Sequence, residues 1–183
     1  MGITLRTKNL ILESSHTEFA EEMLQYYLRN KEFLEKYEPK KDASFYTYEY
    51  QYNILEQEIM QEKRKAGIRF YITQKDDFEK IIGSIALSNI IWGAFRSCFV
   101  GYKLDKDYVN RGYMTEAVNE VVNFAFNHMQ LHRIEGNIMP RNTASLKVLE
   151  KCGFVNEGLA KKYLKINGVW EDHIHMVRLN EKI

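Results

Sequence analysis

The sequence predicts an α+β (mixed α/β) fold in which a central, mostly antiparallel mixed sheet of about seven strands carries helices on both faces. Three observations predict it. The elements run strand, two helices, three strands, helix, strand, helix, two strands, an order that builds one sheet with helices packed against it. Val118, Val121, Val122, Ala125, Phe126 and Met129 recur at helical spacing and mark one strongly amphipathic helix. Asn167-Gly168 stands between two β-rich runs, a hairpin signal that makes the last two strands antiparallel neighbours.

Taken in order, Ile3 to Leu5 and Leu10 to Leu12 form an opening strand or bent strand pair. Ser15 with Glu18 has capping-box spacing and starts a helix through about Leu28, with Phe19, Met23, Tyr26 and Tyr27 on one face. A second helix spans about Thr47 to Lys65, and Lys63-Arg64-Lys65 at its end complements the helix dipole. After Gly67 the period shortens. Ile68 to Thr73, Lys80 to Ser88 and Ser97 to Leu104 read as an antiparallel meander, punctuated by Asp76-Asp77 and Trp92-Gly93. The amphipathic helix begins after Gly112; His132 to Ile138 is a strand, Asn142 to Lys151 a short helix, and Phe154 to Ile166 and Val169 to Leu179 the closing hairpin.

The composition bounds the function. At 183 residues, with no Pro-rich linker and no repeat, residues 1–183 read as a single domain. A chain of this size buries about 70% of its unfolded surface and needs no metal or disulfide to fold. Lys plus Arg is 26 and Asp plus Glu 25, so the net charge of +1 argues against a nucleic-acid partner. Cys98 and Cys152 form no paired motif, which suits a reducing cytoplasm and gives no metal site. No secretory signal is visible in the first 12 residues. The longest uncharged stretch, Ile81 to Phe95, falls short of the roughly 20 apolar residues of a membrane span.

Two segments carry chemistry. Val109-Asn110-Arg111-Gly112-Tyr113-Met114-Thr115 leads from a strand into a helix. The first N–H groups of a helix lack intrahelical partners and favour anions, and Arg111 adds a positive charge, so the segment reads as a diphosphate cradle or as an ordinary strand-to-helix turn. Met139-Pro140-Arg141-Asn142-Thr143-Ala144-Ser145 opens the short helix that runs on to Cys152-Gly153-Phe154. With Val100 to Leu104, Arg111 to Ala117, His132-Arg133-Ile134-Glu135 and Glu157-Gly158, these stretches resemble the GNAT superfamily of acyl-CoA-dependent N-acetyltransferases. Within it the chain is similar to the Rim-type branch, whose best-known members acetylate N-termini of ribosomal proteins.

That resemblance implies a sheet splayed in its middle and acetyl-CoA as co-substrate, with no metal. Backbone groups of Tyr102, Lys103 and Leu104 would pair with the pantetheine arm along a strand parted from its neighbour by a bulge. Asn110, Arg111, Gly112, Tyr113, Met114 and Thr115 would wrap the diphosphate. Val109 and Met114 depart from the usual Q/R-x-x-G-x-G/A loop, Met being familiar in the Rim-type branch. Asn142 is at once an N-cap and a residue near the cofactor arm. Ser145 is the implied acid for the departing thiolate, because Leu149 stands where many relatives have a tyrosine. The family's base carboxylates fall at Asn137 and Leu164, neither of them acidic. Glu135, two residues from Asn137 on the same strand face, is the substitute base or else a structural ion pair with Arg133. The catalytic candidates are therefore Ser145, Glu135 and Asn137.

A site with a weak base suits an α-amine, whose pKa is about 7.7–8.0 against about 10.4 for lysine. The expected acceptor is a peptide or protein N-terminus, with a small amine such as a polyamine or aminoglycoside as the alternative. A CoA-binding module without catalysis is the third reading. No direct nucleic-acid or membrane contact is expected, and the chain is expected to act as a monomer or homodimer. Phe45, Tyr46 and Tyr48 are candidate walls of an acceptor groove, and Glu171 and Asp172 candidates to attract a cationic amine. His173 and His175 share a strand face, a spacing that metals use, but without a third ligand.

Overall fold

A computed structural model describes residues 2–183. The opening segment is two strands, β1 (Thr4–Arg6) and β2 (Leu10–Ser14), so the sheet has eight strands where seven are expected. Helices α1 (Ala20–Leu34) and α2 (Tyr48–Lys63) follow, then β3 (Ile68–Gln74), β4 (Asp77–Ile91) and β5 (Ser97–Leu104). Next come α3 (Tyr113–Asn127), β6 (Arg133–Ile138), α4 (Thr143–Lys151), β7 (Val155–Ile166) and β8 (Val169–Leu179). The strands lie in the order β1-β2-β3-β4-β5-β6-β8-β7, all antiparallel except the β5–β6 pair.

Helix α1 runs one and a half turns beyond the expected end, because nothing between Leu28 and Leu34 breaks a helix and Pro39 lies further on. Ser15 does not cap it. Its hydroxyl donates instead to Glu58 of α2 at 2.7 Å. Glu58 also accepts from Arg69 at 2.6 Å and from Tyr71 at 2.8 Å, so one carboxylate joins α2 to β3 and to the chain just after β2.

The two faces of the sheet bury different sets of side chains. Met114, Ala117, Val118, Val121, Val122 and Ala125 of α3 and Leu149 of α4 pack on Leu12, Phe70, Ile72, Ile82 and Ile134. Ala20, Met23 and Tyr26 of α1 and Leu55 of α2 pack on Tyr71 and Ile81 of the other face. The helical stripe read from the sequence is therefore the buried face of α3. No helix among the described residues is long and apolar enough to cross a membrane.

Several irregularities shape the sheet. Strands β5 and β6 pair only through Ser97–Phe99 and Arg133–Glu135; beyond them the two strands diverge and the sheet splays. A bulge lies on β4, where Asn89 and Ile90 together stand opposite Cys98 and Asn89 takes φ +50°. Strand β7 is bulged twice, at Glu157 and at Lys161–Tyr163. At the second bulge Lys162 takes φ +49° and its N–H donates to Asp172 at 2.7 Å.

Candidate active site

The loop from β5 to α3 is held from below by α1. Asp105 is fully buried and accepts from Arg29 at 2.7 Å and from the N–H of Asp107 at 3.0 Å. Burial would raise its pKa, but the bonds from Arg29, Asp107 and Asn30 outweigh it and hold the carboxyl below its usual value. Asn30 in turn accepts from the N–H of Lys106 at 2.9 Å. The loop then turns through Asn110, φ +62°, and Gly112, φ +82°. Gly112 is required by that left-handed backbone, not by crowding, because a Cβ there would meet no atom within 4 Å. Since the first helical bond runs from the N–H of Glu116 to the carbonyl of Gly112, the N–H groups of Tyr113, Met114 and Thr115 have no partner within the helix.

A cavity of about 470 Å³ opens at this helix start. Nine of the residues expected around the cofactor line it: Tyr102, Lys103, Leu104, Asn110, Gly112, Tyr113, Met114, Thr115 and Asn142. Ser145 lines it too. Arg111 does not; its guanidinium lies over the Tyr108 ring, 5.3 Å from the centroid. Lys147 and Lys151, exposed on successive turns of α4, line the cavity and supply cations the sequence reading placed on Arg111. Phe33, Leu34 and Tyr37 wall its other end. Their apolar spacing, continuing past Leu28, was the signal that could have found them. A wider hollow of about 900 Å³ on the outer side of α2 holds none of the expected residues.

Asn142 is the N-cap of α4, accepting from the N–H of Ser145 at 3.2 Å, and it also lines the cavity. The Ser145 carbonyl accepts from the Tyr102 hydroxyl at 2.9 Å. Burial raises the Tyr102 pKa despite that bond. Cys152, at the end of α4, donates to the Thr115 carbonyl at 3.5 Å, and burial pushes its thiol up to about 11.

Glu135 and Asn137 lie on the opposite face of the sheet from Ser145. Gly136 between them points at α4, where a Cβ would come within 2.7 Å of Leu149, so alternation turns its neighbours away from α4. There Glu135 accepts from Arg133 at 3.0 Å, the ion pair its spacing suggested, and it also lies 2.9 Å from Nδ1 of His175. Asn137 donates to the Tyr163 hydroxyl at 3.1 Å. Arg133 reaches Glu157 at 2.6 and 3.0 Å, which together with Glu135 raises the arginine's pKa. The β7–β8 turn frames this face. Asn167 accepts from the N–H of Lys40 at 2.7 Å and so docks the hairpin on the α1–α2 connection.

Other candidates serve the fold. Phe45 is buried against Tyr27, with ring centroids 4.6 Å apart, and is core rather than groove wall. Glu171 pairs with Arg141 at 2.6 Å, and Asp172 Oδ1 accepts from the backbone of the β7 bulge. Lys103 pairs with Glu38 at 2.8 Å; burial works against its charge, but Tyr27 and Glu38 keep its pKa above the usual value. His173 and His175 do share a face, both against the Tyr163 ring. Among the described residues no three His, Cys, Asp or Glu side chains are grouped to hold a metal ion.

Known proteins share this fold over nearly the whole chain. The ribosomal-protein-S5-alanine acetyltransferase of Vibrio fischeri superposes with a TM-score of 0.93 at 37% identity, covering 98% of each chain. Mycobacterium smegmatis RimJ, solved in complex with CoA-disulfide, superposes with a TM-score of 0.90 at 27% identity over 100% of this chain and 88% of its own. In sequence, the uS5-alanine N-acetyltransferase of Escherichia coli K12 is 34% identical over 174 residues, 94% of this chain and 88% of its own length. Residues 9–155 match the acetyltransferase (GNAT) domain. A left-handed loop opening α3, a splayed β5–β6 pair and a family match over that same region have one joint meaning: this chain belongs to the GNAT family of N-acetyltransferases.

Proposed function

We propose that the protein transfers the acetyl group of acetyl-CoA to the α-amine of a protein or peptide N-terminus, of the ribosomal-protein-alanine type. The observation that carries the reading is the early end of the β5–β6 pairing. It opens the sheet between the cavity on the α3–α4 face and the polar face bearing Asn137, so two substrates can meet from opposite sides.

The residues present fit an acyl-CoA. The unpaired N–H groups at the start of α3, with Lys147 and Lys151, suit a diphosphate, and the unpaired edge of Tyr102 to Leu104 suits an amide-bearing arm. Acetyl-CoA supplies an activated acyl group. Holding it beside the amine provides most of the rate by proximity. The amine nitrogen forms the new C–N bond as the C–S bond breaks, one amine proton leaves on the Asn137 side, and Ser145 protonates the departing sulfur.

The acceptor class rests on the relatives, two of which are named for acetylating an alanine of a ribosomal protein. It rests also on the lack of a free carboxylate at the splay. Near neutral pH roughly a tenth or more of an α-amine is already neutral, against under a thousandth of a lysine. Ribosomal proteins are made in the cytoplasm, and we assign the enzyme to that compartment, with residues 1–183 as one catalytic domain.

The test is mass spectrometry after incubation with acetyl-CoA and three acceptor sets: peptides with a free N-terminal alanine, the same peptides N-blocked with an internal lysine, and polyamines with aminoglycosides. Acetyl is expected on the free α-amine. Equal initial rates on α-amine and lysine, or turnover of the small amines alone, would sink the reading.

A further inference from the structure

Four buried polar atoms among the described residues have no hydrogen-bond partner, and two of them, Oδ1 of Asn137 and Nε2 of His175, lie near each other beyond the splay; the others are the hydroxyls of Tyr26 and Thr73. Asn137 and His175 stand directly opposite each other on β6 and β8, and side chains so paired share one face at neighbouring positions. A buried polar atom left without a partner destabilises the fold, so two on paired residues call for an explanation from function.

The surrounding bonds fix what each atom can do. Glu135 Oε1 lies 2.9 Å from Nδ1 of His175, which places the imidazole proton on Nδ1 and a lone pair on Nε2. The tautomer is assigned from that contact, a neutral imidazole turning its N–H toward the carboxylate. Asn137 donates its amide N–H to Tyr163, which leaves Oδ1 as a second acceptor. Glu135 is fully engaged, its other oxygen held by Arg133 at 3.0 Å, and Arg133 is anchored in turn by Glu157. The carboxylate therefore orients a base rather than acting as one. The Tyr163 ring, carried on the β7 bulge, stands edge-on to His175 with centroids 4.9 Å apart, and the imidazole is left partly exposed.

We propose that His175 is the general base, drawing the proton of the attacking amine to Nε2 through one water held between Asn137 Oδ1 and His175 Nε2. The idea deepens the acetyl-transfer reading and rests on it. The amine nitrogen bonds the acetyl carbon and the C–S bond breaks. The amine gives its proton to the water, and the water gives one to Nε2. Ser145 protonates the sulfur, and bulk solvent restores both side chains. A water accepting from the amine and donating to both atoms makes three hydrogen bonds, the usual complement of a buried water. Glu135 is a positioning residue that holds the tautomer and stabilises the imidazolium. Arg133, Glu157, His173 and Tyr163 are the other titratable groups around it.

The experiment measures initial rates with the intact enzyme, acetyl-CoA and whichever amine the wild type acetylates. This keeps the base assignment separate from the acceptor class: a wild type that uses only small amines overturns the acceptor, and the base is still read on those amines. H175Q is expected to lower kcat by about 10²-fold, the low end for a general base, with KM for acetyl-CoA unmoved. E135Q is expected to lower kcat by about tenfold. Added imidazole is expected to restore turnover to H175A, which a merely structural histidine would not allow. H175Q with wild-type kcat, or an H175A that melts like wild type yet gains nothing from imidazole, overturns the proposal. If H175A fails to fold, H175Q and E135Q decide the matter.

Discussion

The hydroxyl of Tyr102 on β5 donates to the carbonyl of Ser145 on α4 at 2.9 Å, so the strand on one side of the splay is tied to the helix that follows the strand on the other. Both residues line the cavity. Y102F should lose about 1 kcal/mol of stability in urea unfolding. It should also raise KM for acetyl-CoA more than it lowers kcat, because the loosened element shapes binding. A variant with wild-type KM would show that the bond serves the fold alone.

Ser145 lines the cavity and is the proposed acid for the departing sulfur. S145A should lower kcat by about tenfold to a hundredfold, near the low end for a general acid because a thiolate leaves readily. Calorimetric affinity for CoA should stay at the wild-type value. Unchanged turnover would refute the acid assignment.

Lys147 and Lys151 line the cavity from an exposed helix face, where a cation attracts phosphate but is screened by salt. Replacing both with Gln should weaken CoA binding by about threefold to tenfold at low ionic strength. The difference from wild type should shrink as salt is added. R111Q should weaken binding less, since that side chain stacks on Tyr108 outside the cavity lining.

The Asp105–Arg29 pair ties the loop before α3 to α1, with the carboxylate fully buried. D105N should destabilise the protein by about 3 kcal/mol at neutral pH, because it breaks a buried pair from one side. The folded-state pKa of Asp105 is depressed, so its contribution is complete above the ordinary carboxylate pKa. It fades as pH falls through the lower folded value. Urea midpoints of wild type and D105N should therefore converge in strong acid and differ most near neutrality.

Burial pushes the thiols of Cys98 and Cys152 up to about 12 and about 11. At mildly alkaline pH neither should react with a disulfide reagent in the native protein, since the thiolate is the nucleophile. Both should react once the chain is unfolded. Rapid native labelling of Cys152 would show that the end of α4 opens.

What the sequence carried was local, and what it hid was made by neighbours distant along the chain. The stripe on α3 and the Asn167-Gly168 turn each depend on a few adjacent residues, and both are present in the structure. The loop at Asn110–Gly112 was readable for the same reason. Ser15 misled, because a capping spacing says nothing of a glutamate 43 residues on that outcompetes the backbone for its hydroxyl. The two bulges of β7 left no mark in composition. The link from Glu135 to His175 was invisible as well: it needs β8 to insert between β6 and β7, a pairing no local pattern encodes.

The sheet's two outer strands bear on how the protein survives at high concentration. At one border stands a strand of three residues, too short to template a neighbour. At the other stands β7, whose outward-facing ladder is interrupted at Glu157 and Lys161–Tyr163 and which carries Lys161, Lys162 and Lys165. Exposed Val155, Leu159 and Leu164 would otherwise make that border adhesive. The same irregularity that presents Tyr163 to His175 thus guards against edge-to-edge aggregation. Straightening β7 by deleting its extra residues would take Tyr163 from beside His175 and leave an unbroken outer ladder open to a second chain.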